Sequence, residues 1–236
     1  MSLTLPWLDP ASLDFPDPAR ALASPNGLLA VGGDLSPLRL LAAYQRGIFP
    51  WYDSGQPILW WSPDPRMVLF PAEVHVSHSL KKVHRRAAFS VTSDLAFRNV
   101  IAACAATRIN TTGTWLSDEM QAAYLHLHRL GHAHSIEVWH QEELVGGLYG
   151  IALEGVFFGE SMFSLISNAS KIAMVWLAKF LEEADYRVID CQVPSQHLAS
   201  MGARQISRSE FMQYLPGTTT ISTPAPWPLQ YVHPGR

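Results

Sequence analysis

The sequence predicts an α+β protein built on one central, mostly antiparallel sheet. Two helical segments precede three strands whose connections, Gln141-Glu142-Glu143 and Glu154-Gly155, are of hairpin length. The strongest helical pattern, Asn168–Ala184, follows that meander and leads straight into another strand, Tyr186–Val193. Strands and helices are therefore mixed rather than strictly alternating, which favours helices packed on a single sheet.

Residues 1–35 are rich in proline, glycine and aspartate and read as an irregular arm anchored by Trp7 and Phe15. Ser36-Pro37 starts a short amphipathic helix that Gly47 stops, with Leu40, Leu41 and Tyr44 on one face. The next stretch, 48–71, holds five prolines and three tryptophans in 24 residues and cannot be a long helix. It reads as turns with one or two short strands, the clearest being Met67–Phe70. Ser77–Arg86 is a short basic helix, Phe89–Thr92 a strand, and Asp94–Ala106 a helix with Leu95, Phe97, Val100 and Ile101 apolar. Ser117–Leu130 opens with Ser117-Asp118-Glu119, a good helix start, and stops at Gly131. Strands follow at Ser135–His140, Leu144–Leu153 and Val156–Phe163. Helix Asn168–Ala184 is capped by Ser167 or Asn168 and carries Ile172, Val175, Trp176 and Phe180 at helical spacing. A short helix, Gln196–Met201, closes the pattern. The expected organisation is a small N-terminal lobe over 1–61, a main domain over 62–215 and a poorly ordered extension over 216–236.

Composition narrows the class of function. Of 236 residues 48% are hydrophobic and 16% charged, which excludes wholesale disorder. Cys104 and Cys191 are too few to staple the chain and read as reduced residues. No apolar run approaches the roughly 18 residues of a membrane span. The N-terminus lacks the basic start and apolar run of a signal peptide, so a cytoplasmic location is expected. A net charge of −3 argues against a general nucleic-acid coat but leaves room for a local basic patch.

Two strands carry the residues best suited to chemistry. On Tyr186–Val193, alternation puts Asp190 and Gln192 on one face, roughly 6.6 Å apart along the strand, with Ile189, Cys191 and Val193 facing the core. Such a pair either caps a loop at an exposed strand end or orients an incoming nucleophile. On Val156–Phe163, Phe158, Glu160 and Met162 share a face opposite Phe157, Gly159 and Ser161. A carboxylate flanked by phenylalanine and methionine has a raised pKa suited to proton transfer or cation recognition, or is a buried glutamate satisfied by backbone amides. Ser161 lacks the second glycine of a nucleophile elbow. His126, His128, His132 and His134 invite a metal reading, but one that the sequence weighs against: the first two face different ways on a helix, Gly131 interrupts before His132, and no cysteine or carboxylate cluster completes a set. His78, Lys81, Lys82, His84, Arg85 and Arg86 crowd one short helix and, with Arg66, form a positive patch that is either a solvated face or a phosphate site. Trp51, Trp60, Trp61 and Trp115 fit an interface between the lobes or a stacking platform for a base.

GLLAVGGDLSP, YQRGIFPWY, LWWSPDPRMVLFP, GTWLSDEM, GHAHSIEVW, LVGGLYG, FFGESMFS, ASKIA and IDCQVPSQHLASMGAR, in collinear order from about residue 4 to 215, closely resemble the leucyl/phenylalanyl-tRNA–protein transferase family. The resemblance implies a main domain with the fold of GCN5-related N-acyltransferases. It implies transfer of leucine or phenylalanine, and less well methionine, from aminoacyl-tRNA to proteins beginning with lysine or arginine, marking them for degradation in bacteria. It makes Asp190 and Gln192 the catalytic pair and Glu160 a contributor to orienting donor or acceptor. Trp51, Trp115, Phe157, Met162 and Ile189 would surround the aminoacyl group and terminal adenosine, and Arg66, His78, Lys82 and Arg85 the tRNA. The family often has arginine where this chain has His78, which shifts weight onto Lys82 and Arg85.

An aminoacyl ester is already activated, so the implied reaction calls for no cofactor and no metal. The enzyme must hold a neutral amine by the ester carbonyl, remove its proton and stabilise the oxyanion. Whether Gln192, Asp190 or a tRNA hydroxyl takes that proton is open in the sequence. An acyl-CoA transferase on the same fold would need a basic, glycine-rich pyrophosphate loop, where this chain has Ser164-Leu-Ile-Ser-Asn168.

Overall fold

A computed structural model of the chain describes residues 5–78, 80, 89–109, 116–216, 224 and 227. Lys82, Arg85 and Trp115 lie outside the described residues, as does most of the expected basic helix. Four short strands, β1 (Trp7–Leu8), β2 (Leu28–Gly32), β3 (Phe49–Pro50) and β4 (Leu59–Trp61), form a first sheet in the order β1-β2-β4-β3. The arm expected to be irregular therefore holds two strands, β1 and β2 pairing in parallel. Helix α1 (Pro37–Tyr44) follows β2, and the Ser36 hydroxyl accepts from the Arg39 N–H at its start, as the Ser-Pro signal predicts.

The second sheet has seven strands. They are β5 (Arg66–Leu69), β6 (Phe89–Ser93), β7 (Ala133–His140), β8 (Glu143–Leu153), β9 (Val156–Ser164), β10 (Val188–Gln192) and β11 (Arg204–Ile206), in the order β11-β5-β10-β9-β8-β7-β6. Every neighbouring pair is antiparallel except β9 and β10. That parallel pair needs a crossover of a dozen residues or more, and α4 (Ala169–Glu183) supplies it. The expected α+β class, the meander β7–β8–β9 and the helix-to-strand return are all present.

Side-chain alternation on β8 sorts the core. Tyr149, Ile151 and Leu153 pack with Phe97, Val100 and Ile101 of α2 (Phe97–Ile109) and Met120, Tyr124 and Leu127 of α3 (Asp118–Arg129). Leu148 and Ala152 point the other way, against Ile172, Ala173 and Leu177 of α4. The α2–α3 face is continuous with the N-terminal residues: Leu29, Leu40, Tyr44 and Trp60 belong to the same buried cluster. Trp60 is core, its Nε1–H donating to the Gly32 carbonyl.

Helix α4 begins differently from expectation. Asn168 sits in the left-handed region at φ 72° and its side chain makes no cap, a conformation asparagine tolerates. The Ser164 hydroxyl accepts from the Ser170 N–H instead. Helix α2 starts three residues later than expected because Asp94, at φ 59°, turns its carboxylate to the Ser135 N–H and to His134. Two short helices, α5 (Gln196–Ala199) and α6 (Arg208–Met212), flank β11. Of the expected extension, Pro224 and Trp227 are described, Trp227 packing against the α4-side cluster, and the other residues past 216 lie outside the described residues.

Candidate active site

Strands β9 and β10 pair only over Val188↔Val156, Ile189↔Phe157 and Asp190↔Phe158. Beyond that point each carries an irregularity. On β9, Tyr149↔Ser161 is followed by Gly150↔Gly159, so Glu160 is an extra residue against β8. On β10, Asp190↔Val68 is followed by Gln192↔Met67, so Cys191 is extra against β5, and Gln192 has φ 64°. A bulge bends its strand and re-aims the side chains beyond it. Two facing bulges open a cleft where the strands part.

A cavity of about 450 Å³ fills that cleft. Leu148, Phe157, Met162, Met174, Leu177 and Ile189 belong to its apolar lining, and Glu160 and Gln192, with Ser161, Ser164, Ser170 and His197, to its polar lining. Trp51, 41% exposed, stands at the rim, its ring 5.9 Å from that of Trp61. Of the residues singled out from sequence, Trp51, Phe157, Glu160, Met162, Ile189 and Gln192 come together here. The bulge corrects the expected alternation. Phe157 and Met162, assigned to opposite faces of β9, both pack toward the α4 side, because the extra residue between them reverses the parity.

Glu160 is 7% exposed and its carboxylate is fully engaged. Tyr44 Oη donates to Oε1 at 2.8 Å, Tyr124 Oη to Oε2 at 2.6 Å and Gln192 Nε2 to Oε1 at 2.9 Å. The two hydroxyl oxygens are themselves 2.8 Å apart. An ionised Glu160 leaves two hydroxyl protons to serve three contacts; a protonated one supplies the third. Burial pushes its pKa up to about 7, with the nearby Asp190 charge adding to the rise and the three donors opposing it. Burial and Glu160 hold both tyrosine hydroxyls well above their ordinary range, so they stay protonated. The sequence reading missed Tyr44 and Tyr124. The signal was a tyrosine on the apolar face of each of α1 and α3, since a buried hydroxyl needs a partner.

Asp190 does not face the cavity. Its carboxylate takes Nε and Nη2 of Arg66 at 2.8 and 2.6 Å, with both side chains buried. Arg66, expected on the surface among tRNA contacts, is 0% exposed: it also donates to the Gly47 carbonyl and lies between the Phe49 and Phe211 rings. Asp190 Oδ1 accepts the backbone N–H of Gln192 at 2.9 Å. The two side chains take different partners, Asp190 the Arg66 guanidinium and Gln192 the Glu160 carboxylate. Asp190 braces the bulge, and Gln192 beyond it turns its amide to Glu160. Cys191 lines the cavity with its thiol pushed up by burial, so it stays protonated.

Of the residues expected to contact tRNA, His78 is exposed. Among the histidines weighed for metal, His128 bonds the Ala133 carbonyl and stacks on Phe97, and His134 bonds Asp94. Among the described residues no group of three His, Cys, Asp or Glu could hold an ion.

The family model for leucyl/phenylalanyl-tRNA protein transferase matches residues 68–216, and that for its N-terminal domain residues 33–64. Curated relatives named leucyl/phenylalanyl-tRNA–protein transferase include one from Cellvibrio japonicus (strain Ueda107), 55% identical over 96% of each chain. Another, from Pseudomonas syringae pv. syringae (strain B728a), is 56% identical over 94% of this chain and 97% of its own. A GCN5-related N-acetyltransferase from Kribbella flavida is structurally similar at TM-score 0.37 and 9% identity, covering 70% of this chain and 58% of its own, too slight a likeness to bear weight. Relatives of this kind make the chain an aminoacyltransferase. No helix among the described residues is long and apolar enough to cross a membrane. The chain belongs to the leucyl/phenylalanyl-tRNA–protein transferase family.

Proposed function

We propose that the cleft takes the leucyl or phenylalanyl group of an aminoacyl-tRNA, and methionyl less well, and passes it to an acceptor protein whose N-terminus is lysine or arginine. The modified protein is thereby marked for degradation in the cytoplasm. The observation that carries this reading is the largely apolar cavity that Glu160 and Gln192 also line. Its Met162, Met174 and Phe157 lining suits long side chains unbranched at Cβ, and thioethers adapt to both a branched and an aromatic guest. Valine and isoleucine are disfavoured by their branch, by about 1–3 kcal/mol per misplaced methyl.

In the reaction the acceptor's α-amine attacks the ester carbonyl. A C–N bond forms, the C–O bond to the tRNA ribose breaks, and the amine proton ends on the ribose oxygen. Gln192 commits its Nε2 to Glu160, which directs Oε1 toward an amine N–H. Asp190 is a positioning residue, holding the Gln192 backbone with Arg66 as its counter-charge. Glu160 orients the cationic acceptor and is an alternative seat for its proton. Trp51 with Trp115 stacks the terminal adenosine, and the basic segment with His78, Lys82 and Arg85 holds the acceptor stem.

The test mixes the protein with Leu-tRNA and a peptide beginning with arginine and weighs the products. A peptide heavier by one leucyl residue is expected. An unextended peptide despite tRNA binding would make the chain a non-catalytic adaptor, and activity with acyl-CoA alone would make it an ordinary N-acyltransferase.

A further inference from the structure

Phe157 forms part of the cavity wall, yet it is 0% exposed, so something behind it fixes its ring. One constraint is local: a Cβ at Gly150 would come within 2.6 Å of Phe157 Cε1, so the ring occupies the space that glycine leaves. The second comes from beyond residues 68–216. The Trp227 indole lies 5.9 Å from the Phe157 ring at 27°, meets the Tyr186 ring edge-on at 6.5 Å, and is seated by closer contacts. It stacks on His134 at 4.1 Å and 9°, meets Phe180 edge-on at 4.7 Å, and donates from Nε1 to Ser93 Oγ at 2.7 Å. His134 is held in turn by Asp94 Oδ2 at 2.7 Å and by the Gly131 carbonyl.

We infer that Trp227 is a positioning residue that sets the depth of the donor side-chain pocket through Phe157, and so tunes the choice between leucine and phenylalanine. The inference rests on the aminoacyl-transfer reading above. Phe157 packed against the indole keeps the pocket shallow. Without the indole the ring can retreat, and the deeper pocket fits the larger donor side chain better.

The experiment compares kcat/KM for Phe-tRNA and Leu-tRNA, with an arginine-initiated peptide, in the full chain and in Trp227→Ala and Trp227→Phe. Trp227→Ala is expected to raise the phenylalanine-to-leucine ratio about fivefold or more, chiefly by losing leucine transfer, as expected for a methyl-sized change in pocket fit. Trp227→Phe, which keeps an aromatic ring, retains the wild-type ratio. A merely structural role lowers both donors equally and leaves the ratio unchanged, which overturns the inference. Should Trp227→Ala fail to fold, wild-type protein carrying 5-fluorotryptophan answers the question, with the Trp227 resonance assigned by its absence in Trp227→Phe. The stable amide analogues of leucyl- and phenylalanyl-adenosine should shift that resonance differently, and identical shifts overturn the inference. An inactive wild type with both tRNAs would instead sink the transfer reading itself.

Discussion

Moving a carboxyl group from water to the end of this cleft costs more when it carries charge, and at Glu160 three donors offset only part of that cost. The consequence for stability has a definite sign. With its pKa raised from 4.5 to about 7, Glu160 holds its proton more tightly in the folded chain than in the unfolded one. Folding therefore takes up a proton between those two values, and stability falls as pH rises through that window. The loss amounts to on the order of 3 kcal/mol for a shift of this size. Glu160→Gln keeps the shape and cannot ionise. Urea unfolding of the two proteins should show the variant gaining on wild type between about pH 4.5 and about pH 7, with no further gain above. A difference that stays flat across the window would mean that Glu160 keeps an ordinary pKa.

The arrangement of elements around the site depends on close approaches that only small residues allow. A Cβ on Gly146 of β8 would come within 2.5 Å of Ala169 Cβ and 3.1 Å of the Ala169 carbonyl carbon, at the first residue of α4. Gly146→Ala should therefore push α4 off the sheet and destabilise the protein by about 1–3 kcal/mol, seen as a lower urea midpoint with an unchanged slope. A midpoint equal to that of wild type would show that α4 yields without cost. The elements themselves were legible in the sequence, since hydrophobic periods marked the meander and α4, and Ser36 and Ser117 marked helix starts. The site was legible only in part. Glu160 and Gln192 were found as polar residues in apolar strands, but period-2 reasoning assumes an unbroken pleat and the strands bulge at Glu160 and Cys191. Nothing local in GESMF or DCQ announces an extra residue. The partners Tyr44, Tyr124 and Arg66 lie 116, 36 and 124 residues from the groups they bind, separations at which no local pattern speaks.

Across the whole molecule the N-terminal sheet and the seven-stranded sheet are joined through one buried cluster running from Leu8 through Tyr44 and Trp60 to Tyr149 and Val188. Tyr44 carries that cluster to the Glu160 carboxylate. Cooperative units share cores, so the chain should unfold by calorimetry in one transition, with equal calorimetric and van't Hoff enthalpies. Two resolved transitions would mean that the N-terminal residues form an independent domain.

The buried pair of Arg66 and Asp190 also fixes an order of events on the ribosome. Strand β5 has only β10 and β11 as partners in its sheet, and both come far later in the chain. Arg66 is made 124 residues before the carboxylate that neutralises it, about 6–25 s at roughly 5–20 residues per second. Through that interval β5 has no sheet to join, and its guanidinium stays hydrated outside any finished core. The contact that braces the cleft is thus among the last to be made during synthesis, and a nascent chain arrested before residue 190 cannot hold a working site.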